Sequence, residues 1–161
     1  MPIVPFHQLP DDARLWVFGS DHALVGAPAD TLLASVDQFL SEWRAHGVPL
    51  RCARDWRDHR FLAVGVDVSA EQASGCSIDG LFRTLQQLER VIGSRLVGGG
   101  RVFYRENGKV EAATREEFVA RVRSGGIHRD TLVFDTSLTG VAEWRTKFEQ
   151  PASRSWAARY F

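Results

Sequence analysis

The stretch PLRCARDWRDHRFLAVGVDVS, residues 49–69, decides how this chain folds. Its two arms, PLRCARDWR and RFLAVGVDVS, meet at Asp58-His59, a polar turn that predicts a β-hairpin. The second arm is a nearly unbroken apolar run rich in Val, the pattern of a central strand buried on both faces. Upstream, ARLWVFGS (residues 13–20) is a short apolar and aromatic run that ends in Gly-Ser-Asp, which reads as the first strand and its turn. Between the two, Leu32, Leu33, Val36, Phe39, Leu40 and Trp43 recur at helical spacing, with Asp30 as the expected N-cap and Gly47 as the expected stop.

Downstream, Ile78, Leu81, Phe82, Leu85, Leu88 and Ile92 form the buried stripe of a second helix. Ser77 is its expected cap, and Asp79 falls in the expected positive first turn. Glycines 98–100 then interrupt the chain. RVFYRENGKVEAAT predicts two strands around Asn107-Gly108, and Thr114 with Glu117 forms a capping box for a short helix through Val122. TLVFDT is the last predicted strand. The tail to Phe161 holds Trp144, Trp156 and Tyr160, too many aromatics for a solvated end, so it is expected to pack back on the body.

This order predicts an α+β protein. The first six elements match a ferredoxin-like βαββαβ unit, and a small ββαβ module follows. The expected division is an N-terminal α+β domain, residues 1–98, and a C-terminal module, residues 99–161. The 161 residues are 44% hydrophobic, enough to bury a core without disulfide staples. Twenty Lys plus Arg balance twenty Asp plus Glu, so the summed charge exerts no pull towards nucleic acid or an anionic membrane. No apolar run reaches the roughly 18 residues of a membrane helix, and MPIVPFHQLPDDARL lacks the basic start and apolar segment of a signal peptide. A cytoplasmic setting is expected. No Cys/His spacing suggests a metal site, and no cofactor motif is present.

Through WRAHG, DVSAEQASGCSID, DTLVF and PASRSW the chain resembles a family of small bacterial proteins labelled ABC transporter ATPase. ATP chemistry of that kind needs a phosphate-cradling loop with a Lys-Ser/Thr pair, and GSRLVGGGR has neither. Separately, RVFYRENGKVEAATREEFVARVRSGGIHRDTLVFDTSLTGVAEW resembles the bacterial GYF-related domain, with Gly126, Ile127, Asp130, Thr131, Leu132, Val133 and Trp144 at the pattern positions. Glu111-Ala112-Ala113 stands where that pattern has Gly-Pro before the helix, and GYF itself is absent. GYF domains bind proline-rich peptides, so this resemblance implies an interaction module with a protein or peptide partner. Trp144 and Trp156 are its expected interface anchors.

The alternative is chemical. Cys76 sits at the expected N-terminus of the second helix, where free N–H groups favour a thiolate and could stabilise an oxyanion. His59 and His46 are candidate bases, Asp67 a candidate orienting group, and Ser77 and Asp79 candidate ligand contacts, which together would make a small thiol-dependent enzyme. Set against this, a small residue beside Gly75 also lets a strand and helix approach closely, and free cysteines are often inert core residues. Cys52, in the hairpin among arginines, could be activated by them. Arg51, Arg54, Arg57 and Arg60 beside Trp56 would suit single-stranded nucleic acid, but Asp55 and Asp58 interrupt the series and alternation sends successive arginines to opposite faces. A solvated, salt-bridged hairpin and no nucleic-acid partner are expected.

Overall fold

The computed structural model of the chain describes residues 3–161; Met1 and Pro2 of the opening segment lie outside it. The predicted hairpin is present. β1 (Arg14–Gly19), β4 (Cys52–Arg57) and β5 (Phe61–Val66) make an antiparallel sheet in the order β1-β5-β4, with Asp58 and His59 in the turn at φ 55° and 56°. All six residues of β5 are buried, as its unbroken apolar run requires. Alternation splits them between two cores. Leu62, Val64 and Val66 face Leu32, Val36 and Leu40 of α1 (Ala27–Ser41) and Leu81 and Leu85 of α2 (Gly75–Ile92). Phe61 and Ala63 face the other way.

The helix boundaries differ from expectation where local polar chemistry sets them. α1 begins at Ala27 behind Gly26, with proline in its first turn, so Asp30 lies inside that turn rather than capping it. Nor does Gly47 end the helix. It forms with His46 the positive-φ turn of a small hairpin, β2 (Arg44–Ala45) and β3 (Val48–Pro49). α2 is capped by Ser74: the Ser77 N–H donates to Ser74 Oγ at 3.1 Å and the Ser74 N–H to Ser77 Oγ at 2.6 Å. Ser77 therefore closes a reciprocal capping box from the third helical position, and Asp79 falls beyond the first turn.

β6 (Arg101–Glu106) and β7 (Lys109–Thr114) flank Asn107-Gly108, and Thr114 with Glu117 caps α3 (Arg115–Arg123), all as predicted. β8 (Leu132–Phe134), α4 (Val141–Thr146) and β9 (Glu149–Pro151) follow, and short 3-10 helices at Ala152–Arg154 and Trp156–Tyr160 form the tail. In a ferredoxin-like unit the strand after α2 would join the free edge of β1. Here β6 instead enters a second antiparallel sheet, β7-β6-β8-β9. The sequence of β6 explains how it can: Phe103 points into one core, while Val102 and Tyr104 point into another, so the strand is buried on both faces between layers.

Two glycines make room against the first sheet, one for the second sheet and one for the N-terminal segment. A Cβ on Gly19 would lie 2.5 Å from the Phe103 ring, and one on Gly65 would lie 2.6 Å from Leu9. The middle core is assembled from both halves of the chain: Phe61 packs against Phe103, Phe134 and Phe148 at centroid distances of 5.1, 4.8 and 4.9 Å. On the outer face of the second sheet, Phe118 of α3 meets Trp156 and Tyr160 of the tail, so the tail packs on the body. The result is four layers, α1 and α2, three strands, four strands, and α3 with the tail. Among the described residues no helix is long and apolar enough to cross a membrane.

Candidate functional site

The residues expected to cooperate in thiol chemistry are held apart. Cys76, at the second position of α2, is exposed and lines a shallow pocket with Trp43, Arg44 and His46. None of the hydrogen bonds among the described residues involves its sulfur. Asp67 follows β5 and is buried, accepting from the Ser69 hydroxyl at 2.6 Å, the Ser69 N–H at 3.0 Å and Arg51 at 2.8 Å. These bonds, Ser69 first and Arg51 after, hold its carboxyl below the usual range despite burial. His59 is in the β4–β5 turn, beside Arg60, Arg105 and Lys109 in a different pocket. Cys76 and His59 thus line different pockets, and Asp67 lines neither.

Other expected contacts are also used internally. Ser77 is buried, its carbonyl accepting from the Trp43 indole at 2.8 Å, and Asp79 is exposed on α2. Trp144 is fully buried, stacked 4.2 Å from Phe148, and donates to Asp55 at 2.9 Å, so it presents nothing to a partner. Trp156 is half-buried. Cys52 faces the helical core, not the arginines; burial pushes its thiol up to about 12 and its S–H donates to the Leu40 carbonyl. The arginine series is spent within the fold: Arg51 pairs with Asp67, Arg54 with Asp37, Arg57 with Asp55, and Arg60 donates to the Ser20 and Asp21 carbonyls.

A different opening lies along β1. Leu15 N–H donates to the Thr139 carbonyl, away from β5, and a single bridge joins Arg14 to Gly140. Strand alternation aims the N–H groups of Val17 and Gly19 in the same direction as that of Leu15. Neither has an acceptor among the described residues. That open edge floors a cleft of about 410 Å³. Phe82, Val97 and Gly98–Gly100 form one wall, and Phe103 and Thr136–Thr139 form the other. Arg14, stacked 4.6 Å over Trp16, and Asp21 stand at its rim.

The cleft occupies the place left by the strand that joined the second sheet. Sequence reasoning treated Gly98–Gly100 as a break and ARLWVFGS only as the first strand, so it missed this feature. The signal that could have found it, the both-face apolar pattern of RVFY, shows only that β6 is sandwiched, not which strand it leaves unpaired. Searches against family models, curated proteins and solved structures found no match to this chain.

Proposed function

We propose that this protein is a binding or adaptor protein that captures an extended peptide segment of a partner by adding it to the free edge of β1. The single observation that carries this reading is the pair of unpartnered N–H groups, Val17 and Gly19, facing a cleft of peptide dimensions. An added strand would satisfy the edge groups with main-chain hydrogen bonds, while the cleft walls select alternate side chains. Phe82 and Phe103 supply apolar contact on opposite sides. The reading also suits the expected ferredoxin-like order of the first half, whose sheet would gain a fourth strand, and the interaction role that the GYF-related resemblance implies. The peptide would occupy the fourth-strand position of the first sheet.

The test is to pan a phage-displayed library of random linear dodecapeptides on the full chain, then titrate enriched peptides by fluorescence anisotropy. Val17→Pro removes an edge donor without touching the β1–β5 ladder, and Thr136→Trp fills the cleft. Each is expected to weaken binding about 10- to 100-fold, corresponding to one or two main-chain hydrogen bonds and their flanking contacts. Failure to enrich any peptide, or undiminished binding by Thr136→Trp with an unchanged melting temperature, would refute the proposal.

A second reading rests on the joint exposure of Cys76 and His46 in one pocket. As a thiol-dependent enzyme the protein would use Cys76 as nucleophile and His46, not His59, as base. A mechanism-based thiol probe such as a vinyl sulfone should then label Cys76, and His46→Ala should suppress the labelling. Equal labelling of both proteins would remove that reading.

A further inference from the structure

We infer that the captured peptide carries an acidic side chain, and that Arg101, Arg115 and Arg159 bind its carboxylate. This rests on the peptide reading above. Arg101, Thr136 and Ser137 line both the β1 cleft and an adjoining pocket of about 150 Å³, which Arg115, Trp156 and Arg159 also line. The smaller volume admits a side chain but not a continuing backbone. A segment lying along β1 would therefore send one side chain into it.

The charge of that pocket is not balanced internally. Elsewhere Arg51, Arg54, Arg105 and Arg145 each donate to a carboxylate within 2.8 Å. By contrast, Arg101 comes no nearer than 4.0 Å to Asp21, and neither Arg115 nor Arg159 is ion-paired among the described residues. Arg115 donates one N–H to the Tyr160 hydroxyl at 2.8 Å, and its guanidinium sits 5.6 Å from the Trp156 ring centre. The one acid in the pocket, Asp135, has Oδ1 engaged by the Ser137 N–H and hydroxyl. Three arginines thus line a pocket that holds a single internal carboxylate.

A second carboxylate entering there meets planar N–H forks that favour bidentate pairing. The wall is also fixed in place: the Trp156 indole donates to the Phe134 carbonyl at 2.9 Å, and its ring packs on Phe118. Arg115 and Arg159 are exposed, so they can reorient at small cost and their replacement leaves the cores intact.

The same panned dodecapeptides supply the test. The expected result is enrichment of Asp or Glu at one fixed position, with affinity that falls as salt rises. Arg115→Gln and Arg159→Gln should each weaken the selected peptide about tenfold. Replacing the peptide's acid by its amide should cost a similar factor in the wild type and little further in the variants. Arg159→Gln serves alone if Arg115→Gln does not fold. Peptides that bind at β1, as judged by Val17→Pro, but show no acid preference and no response to either arginine variant would overturn this inference while leaving the peptide reading intact. Sensitivity to C-terminal amidation without sensitivity to Glu→Gln would assign the pocket to a chain terminus and also overturn it. Failure to enrich any peptide would overturn both.

Discussion

Trp144→Phe tests whether the two halves of the chain fold as one unit, because Trp144 lies where they meet. Its ring is fully buried against Phe148, its indole N–H donates to Asp55 of β4, and its carbonyl accepts from Arg57, whose guanidinium lies 4.1 Å over the ring. Phenylalanine keeps the aromatic contact but removes the donor. A hydrogen bond to a charged group contributes about 1.5–3 kcal/mol. The smaller ring leaves a void of roughly 40 Å³, which at ~24 cal/mol per Å³ adds about 1 kcal/mol. The total, about 2.5–4 kcal/mol, corresponds to a fall in melting temperature of roughly 5–16 °C at 2–4 °C per kcal/mol for a chain of this size.

The informative measurement is urea unfolding followed by two probes: far-UV circular dichroism, weighted towards α1 and α2, and near-UV dichroism, weighted towards the aromatic middle core. Both transitions should move together to the lower midpoint. If the helical signal stays at the wild-type midpoint while the aromatic signal shifts, the two halves unfold separately and the shared core does not couple them. A double-mutant cycle with Asp55→Ala, which removes the acceptor, isolates the hydrogen bond, and a coupling near zero would remove it from the account.

Two further outcomes are expected. Iodoacetamide should modify Cys76 in the native protein and leave Cys52 untouched until the fold opens, since a thiol at about 12 has a thiolate fraction about a thousandfold below an ordinary one near 9.0; mass spectrometry of a time course decides, and prompt native labelling of Cys52 would refute its burial. Asp67→Asn should cost about 1.5–3 kcal/mol at neutral pH through weakened bonds to Ser69 and Arg51. Because the native carboxyl titrates below its unfolded value of 3.8, that advantage is present above this value and disappears as the pH falls through the native one. Chemical denaturation across that acid range should show the two proteins converging, and an undiminished gap at the acid limit of the fold would contradict the assignment.

Features that depend on neighbours along the chain were legible in the residues alone. The Val-rich arm of residues 60–69 specified a strand buried on both faces, Asn107-Gly108 specified a hairpin, and Thr114 with Glu117 specified a helix start, because period and turn chemistry act over a few residues. Helix starts built from less distinctive pairs were placed wrongly: Ser74 and Ser77 cap reciprocally, but serine at the third position lacks the Glu or Gln that marks a capping box in sequence.

Which sheet β6 joins is set by long-range packing. Its apolar residues on both faces fit either sheet, and the choice rests on contacts between residues distant in the chain, Phe103 over Gly19 and against Phe61 above all. That choice leaves the β1 edge open and brings Arg101, Arg115 and Arg159 around one pocket. Local periodicity carries no information about such pairings, since an edge is defined by the strand that does not arrive. The same physics separates Cys76 from Asp67: both flank the α2 connection in sequence, yet the hydrogen bonds of Asp67 to Arg51 and Ser69 bind it to the sheet end, while Cys76 faces the solvent beside His46.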